Sequence, residues 1–259
     1  MTHTFDPTES RRLEAVYLTP DVVQQRAATL AALSPTSGEH ILDVGCGPGL
    51  LVAEMADAVS PSGWVIGLDV SEAMLAVARR RCEPVANRTS LVRGDATALP
   101  FSAASFDAAV STQVFEYVAD VESALAELYR VVRPGGRVLL LDTDWGSVVW
   151  HSSDPARMRR MLAAWMERFA DPYLPRTLAP RLRAAGFELT GRDVLVLYNP
   201  EHRPDTYSVS NGQIMAGFVH DRGVPRELVE AWTADLEQLG MRGEYFFSLN
   251  RYLFAARRP

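Results

Sequence analysis

The 259-residue chain predicts an α/β fold built on a doubly wound, mostly parallel sheet, and three observations carry that expectation. Apolar runs of strand length alternate with helical patterns from residue 41 onward, as parallel strands joined by crossover helices do. The run Ile41-Leu42-Asp43-Val44 turns on glycines at alternate positions, Gly45, Gly47 and Gly49, and re-enters a helical pattern at Leu50. A buried strand feeding a helix through a tight turn has this form. The next apolar run, Trp64-Val65-Ile66-Gly67-Leu68, closes on the acidic Asp69.

Taken in order, residues 1–12 are polar and expected to fray. Thr19-Pro20-Asp21 is a helix start, with Thr19 as cap and Pro20 at the first helical position. Val23, Ala27, Leu30 and Ala31 then make an apolar stripe, so a helix is expected over 19–33. Strands follow near 40–44, 63–69, 88–93, 106–111 and 136–142, with helices near 50–59, 72–82 and 120–132. Val121, Leu125, Leu128 and Val132 are spaced for one buried helix face. Beyond residue 143, helical patterns cover 154–170 and 177–185, the second stopping at Gly186. Glu188–Tyr198 reads as a strand, 205–222 and 225–239 as helices, and Gly243–Phe254 as a final strand. No repeat or low-complexity linker interrupts the chain. A single domain over 1–259 is expected, with a cofactor half at 34–142 and a C-terminal half at 143–259.

Composition narrows the function classes. Hydrophobic residues make up 47% and charged residues 22%, ordinary for a globular protein. A net charge of −6 argues against a general nucleic-acid surface, because neutralising phosphates takes clustered Lys and Arg. Arg79-Arg80-Arg81 closes a helical pattern, where positive charge favours the helix dipole. The two cysteines, Cys46 and Cys82, make no metal-ligand or disulfide spacing and suit a reducing compartment. There is no apolar leader pattern and no stretch long enough for a membrane span. A cytoplasmic protein, monomer or homodimer, with no metal, no nucleic-acid partner and no membrane partner is expected.

The glycine spacing limits the ligand. The P-loop pattern is absent, since no Lys-Ser or Lys-Thr follows, and the third glycine of a dinucleotide loop would fall at Leu50. Asp69 stands where an acidic side chain binds ribose hydroxyls. A ribose-bearing ligand with a small charged end therefore fits better than a pyrophosphate. Asp43-Val44-Gly45-Cys46-Gly47-Pro48-Gly49, Gly67-Leu68-Asp69, Gly94-Asp95-Ala96-Thr97-Ala98-Leu99-Pro100-Phe101 and Arg133-Pro134-Gly135-Gly136 stand in that order. In this the chain resembles the class I S-adenosylmethionine-dependent methyltransferases, with the subgroup of ubiquinone and menaquinone C-methyltransferases and many natural-product enzymes nearest.

The resemblance covers the N-terminal half well and the C-terminal half hardly at all. It implies a Rossmann-like, seven-stranded sheet ending in an antiparallel strand pair. A helical insertion over about 199–243 would then act with the N-terminal helix and residues 143–185 as a lid. It implies S-adenosyl-L-methionine as cofactor, bound by Asp43, Gly45, Cys46, Gly47, Gly49, Asp69, Val70, Met74, Asp95, Ala96, Thr112 and Gln113. Asp95 would reach the adenine amino group. Thr112 and Gln113 would approach the methionine portion.

The methyl acceptor is expected to be a small organic molecule, aromatic or heterocyclic, from specialised metabolism; a quinone precursor is the alternative. Candidate acceptor-binding residues are Tyr17, Phe115, Glu116, Tyr117, Trp145, His151 and Tyr207. A phenol or carbon nucleophile can need a proton removed, and His151 and Tyr17 lead as catalytic candidates, ahead of Tyr207, His220 and Glu116. Trp150, Tyr173, Tyr198 and Phe218 are further aromatic candidates for the substrate side. An NAD-dependent oxidoreductase and a non-catalytic cofactor-binding module are the rivals from other classes.

Overall fold

The computed structural model describes residues 13–259; the expected frayed segment 1–12 lies outside the described residues. Residues 13–17 are helical, and α1 (Pro20–Leu33) follows with Pro20 at its start. Thr19 does not cap α1. Its hydroxyl instead donates to the Val16 carbonyl at 2.7 Å and closes the preceding turn. The apolar stripe also turns out differently: Val23 is exposed, and the buried face is Val22, Gln25, Thr29 and Leu33.

Five strands then alternate with three helices: β1 (His40–Val44), α2 (Leu50–Ala58), β2 (Trp64–Asp69), α3 (Glu72–Cys82), β3 (Thr89–Arg93), β4 (Phe106–Thr112), α4 (Val121–Val131) and β5 (Val132–Thr143). The strands pair in the parallel order β3-β2-β1-β4-β5. Local chemistry sets the helix starts. Ser71 Oγ accepts the Met74 N–H to cap α3, and Asp120 Oδ1 accepts the Ser123 N–H to cap α4. On α4, Val121, Ala124, Leu125, Leu128 and Val131 are buried, and burying each large aliphatic side chain contributes about 1.5–3 kcal/mol.

β5 begins earlier than expected, because strand geometry resumes directly at Val132. Arg133–Gly136 then bulge out, and the pairing skips from Phe106–Val132 to Ala108–Arg137. Pro134 is tolerated there because a bulge needs no ladder N–H.

After β5 come the two-residue β6 (Val149–Trp150), α5 (Pro155–Met166), α6 (Pro175–Ala184), β7 (Glu188–Asn199), α7 (Tyr207–Asp221), α8 (Arg226–Met241) and β8 (Phe247–Arg257). β8 inserts antiparallel between β5 and β7, and β6 pairs with its first residues. The seven long strands thus form the Rossmann-like sheet with an antiparallel C-terminal pair, and α7 and α8 lie between the last two strands.

The apolar interior is divided. Two clusters pack on the sheet, one around Leu42, Phe106, Leu125 and Leu140, the other around Ile41, Val52, Leu75 and Leu139. A third gathers α5, α7, α8 and the residues after β5 around Trp145, Trp150, Trp165, Met215 and Trp232. Trp150 belongs to this cap core rather than to a ligand surface. It packs edge-on against Trp232 and Phe247, and its indole N–H donates to Tyr245 Oη at 3.1 Å. Among the described residues no helix is long and apolar enough to cross a membrane.

Candidate functional site

A cavity of about 380 Å³ opens at the C-terminal ends of the parallel strands, with the helical residues 13–17 over its mouth. β1, β2 and β4 end on its wall, where the strand order reverses between β1 and β4, the position at which open α/β sheets bind ligands. Of the residues expected to hold a cofactor, Gly45, Gly47, Asp69, Val70, Met74, Asp95, Ala96, Thr112 and Gln113 line it. Asp43 and Cys46 line an adjoining recess of about 60 Å³ beside α1, with Gly45, Gly47, Thr112 and Gln113 common to both.

The glycines of the turn have separate tasks. A Cβ on Gly45 would stand 2.2 Å from Val114 Cγ2, so this glycine lets the exit of β4 close on the exit of β1. At Gly49 a Cβ would stand 2.9 Å from the Cβ of Ala78, so this glycine admits α3 and lines neither space; its expected ligand contact is replaced by packing. Gly47 has φ +51°, and a Cβ there would meet no protein atom within 4 Å. Because Gly47 lines the cavity, that Cβ would stand in the ligand's space.

Asp69 holds this turn in place. Its Oδ2 accepts the Gly47 N–H and its Oδ1 the Ser71 N–H, both at 2.8 Å. Each oxygen keeps a second lone pair for a hydroxyl. Burial pushes its carboxyl up, and the backbone N–H groups of Ser71, Gly47 and Val70 pull the other way. Asp43 is buried with Oδ1 unpartnered among the described residues, and burial, aided by the Asp69 charge, raises its carboxyl to about 8. Asp95 Oδ1 accepts the backbone N–H and the hydroxyl of Thr97 and so shapes the loop after β3.

Gln113 follows β4 with φ +59°, and its N–H donates to the Leu141 carbonyl at 2.6 Å. Its side-chain nitrogen is buried without a partner among the described residues. Gln113 and Tyr17 both line the cavity, the recess and a third, smaller chamber of about 30 Å³. This chamber lies under the cap. Glu116, Tyr117, Trp145 and Tyr207, four of the acceptor-side candidates, line it together with Trp165, Arg168 and Asn211.

Glu116 and Asp142 support each other at the chamber's base. Asp142 Oδ1 accepts the N–H groups of Val114 and Glu116, at 3.1 and 3.2 Å, while Glu116 Oε2 accepts the Thr143 N–H at 3.0 Å. Burial pushes both carboxyls up, that of Glu116 to about 7, where Arg251 and Arg168 partly offset the effect. Arg251 is fully buried, donates to Gln25 of α1 and stacks 4.7 Å over the Tyr207 ring.

Other expectations fail on geometry. His151 is exposed on a separate groove with Trp150, Pro155, Met158 and Phe246, and its N–H donates to the Phe246 carbonyl. It lines neither the cavity nor the chamber, because β6 turns away along β8. Phe115 is fully buried in the sheet core. Tyr17 reaches the site, but burial raises its phenol far above the ordinary range, which suits a donor or a wall and not a base. Tyr173 and Tyr198 are exposed, His220 sits half-exposed at the end of α7, and Phe218 packs on Trp165 and Arg168. Arg168, Asn211 and Trp165 escaped sequence reasoning, because only tertiary burial distinguishes them from ordinary helix-surface and core residues.

Comparison with known proteins agrees with this architecture. The methyltransferase domain family matches residues 42–140. A Symbiobacterium thermophilum demethylmenaquinone methyltransferase is 34% identical over 182 residues, covering 62% of this chain and 72% of that protein. An uncharacterised transposon protein of Streptomyces fradiae is 42% identical over 142 residues, 55% of this chain, but the match spans only 41% of that relative's length. Among solved structures, Haemonchus contortus phosphoethanolamine N-methyltransferase 2, bound to phosphomonomethylethanolamine and S-adenosylhomocysteine, superposes with TM-score 0.64 at 21% identity. That superposition covers 98% of this chain and 58% of the other and speaks for the fold. The chain belongs to the class I S-adenosylmethionine-dependent methyltransferases, in the group that resembles the ubiquinone and menaquinone enzymes.

Proposed function

We propose that the protein transfers a methyl group from S-adenosyl-L-methionine to a small aromatic acceptor. The observation that carries this reading is Gly47, a glycine whose missing Cβ faces open cavity while Asp69 clamps its N–H. The donor set suits the cofactor: Asp69 has lone pairs for ribose hydroxyls, Asp95 and Ala96 would face the adenine, and Thr112 and Gln113 would face the methionine portion. The bound cofactor supplies a methyl group already activated on a sulfonium.

The chain's own residues hold the acceptor in line with it and keep water out. Leu13 and Tyr17 cover the mouth. Arg26 secures that cover by donating to the Tyr17 carbonyl at 3.1 Å while pairing with Glu54 of α2 at 2.7 Å. Tyr17 and Tyr117, which line both the cavity and the chamber, suit a flat acceptor. A second reading, C-methylation of a quinone precursor, is favoured by the Symbiobacterium relative.

Titration with S-adenosylmethionine, S-adenosylhomocysteine and NAD side by side tests the cofactor. A ligand at one hundred times its dissociation constant adds about 2.7 kcal/mol of stability. Stabilisation by the two adenosyl ligands alone is expected. Stabilisation by NAD alone would overturn the assignment.

A further inference from the structure

Among the described residues one carboxylate, that of Glu116, lines the chamber; of the other candidate bases, His151 and His220 lie elsewhere, and burial holds Tyr17 and Tyr207 protonated. We propose that Glu116 is the catalytic residue that takes the proton of an aromatic acceptor's hydroxyl in this chamber. The proposal rests on the methyltransferase reading above and names the proton acceptor within it.

Four residues, Leu13, Tyr17, Gln113 and Tyr117, line both the 380 Å³ cavity and the 30 Å³ chamber. The two spaces therefore meet at one mouth, beside the end of the cavity that holds Thr112 and Gln113. A chamber of about 30 Å³ has room for a group the size of a water molecule, not for a ring. A flat ring at the mouth, between Tyr17 and Tyr117, would place only a substituent inside. That substituent meets Glu116, which is 2% exposed and anchored through Oε2 to the Thr143 N–H. One oxygen thus fixes the carboxyl of a residue that forms part of the chamber wall.

The surrounding charges select the chemistry of the substituent. Arg168 from the segment after α5 and Arg251 from β8 both act on Glu116, and burial and the Glu116 charge push the neighbouring Asp142 carboxyl of β5 well up. Tyr17, Tyr117 and Tyr207 complete the titratable surroundings, with burial holding Tyr17 and Tyr207 protonated. Two guanidiniums oppose a protonated amine and favour a group that becomes anionic. A carboxyl pushed up to about 7 is matched to proton transfer near neutral pH.

The balance is simple. The hydroxyl proton passes to Glu116, and the electron pair of the O–H bond stays on the arene. A pair of the arenolate forms the bond to the methyl carbon as the carbon–sulfur pair returns to sulfur, leaving a neutral thioether and a neutral carboxyl. Attack through oxygen ends as an ether. Attack through the ortho carbon gives a dienone whose ring proton then moves to its carbonyl oxygen.

The test uses 2-naphthol, a hydroxyarene that releases its proton on excitation and whose naphthol and naphtholate emissions are resolved. The full chain saturated with S-adenosylhomocysteine is expected to bind it and to emit mainly from naphtholate. Glu116→Gln keeps a carbonyl oxygen for the Thr143 N–H and should lower the naphtholate fraction about tenfold while leaving S-adenosylhomocysteine affinity unchanged. In the wild-type complex the naphtholate emission should fall as pH drops through about 7, a readout that needs no variant. Absence of 2-naphthol binding to the complex, naphtholate emission unchanged in Glu116→Gln, or emission that ignores pH in this range would each overturn the proposal. Failure of S-adenosylhomocysteine itself to bind would instead bring down the cofactor reading on which it rests.

Discussion

Asp69 Oδ2 accepts the N–H of Gly47 at 2.8 Å, so the acidic end of β2 fixes the one glycine of the turn whose missing side chain faces the cavity. The pair joins two motifs that lie 22 positions apart. It sets the turn's shape before any ligand arrives, which lowers the ordering cost of binding.

Gly47→Val separates the ligand's space from the fold's stability. The new side chain would enter the cavity and meet no protein atom at Cβ, so the cost to folding is confined to the strain of φ +51°, about 1–2 kcal/mol. Affinity for S-adenosylhomocysteine should fall by more than about 100-fold, roughly 2.7 kcal/mol. Calorimetry on the folded variant checks this. Near-wild-type affinity would remove the turn from the site.

Gly45→Ala should behave oppositely, as a packing defect. Its Cβ would overlap Val114 Cγ2 at 2.2 Å, and overpacking costs about 1–3 kcal/mol. The second change Val114→Ala should restore part of the loss. Denaturant midpoints of both singles and the double measure the coupling, and strict additivity would refute the contact.

Asp43 gives a pH dependence of stability. Its carboxyl is raised to about 8 in the fold, against about 3.9 in an unfolded chain. The folded state therefore binds the proton more tightly, and the stability of this site falls as pH rises from about 4 to about 8. Asp43→Asn removes the titration, so its stability relative to wild type should grow with pH across that window. Urea unfolding at several pH values tests the sign. Parallel curves for the two proteins would show that Asp43 ionises normally.

His151→Ala should leave methyl transfer within about twofold and cofactor affinity unchanged, because the imidazole stands on the outer groove. A loss of kcat of about 100-fold or more, of the size expected for a general base, would mean that the groove and the chamber communicate in a way the fold does not show.

The order of β1 to β5, the glycine turn, Asp69 and the helices between β7 and β8 were legible in the sequence, because strand and helix periods and turn chemistry are local properties of a few residues. Element ends shifted where neighbours outweighed local preference. Thr19 closes the preceding turn rather than capping α1, and β5 starts at Val132 because β4 offers pairing there.

Only the tertiary structure decided which aromatic and charged side chains share a space. Trp150 and Phe115 went to the cores, while Trp145, Tyr207 and Glu116 went to the chamber. His151 went to the surface, two residues beyond the start of a strand that pairs away from the site. Arg168 and Arg251, ordinary in sequence, became buried charges that set the electrostatics of the chamber. Such assignments depend on contacts between residues such as Gln25 and Arg251, 226 positions apart, and no local period encodes them. The sequence by itself determined the family's sheet and the residues expected at its cofactor edge. Folding the C-terminal half back over that edge decided where an acceptor and its proton can go, because burial, unlike periodicity, is a property of the assembled chain.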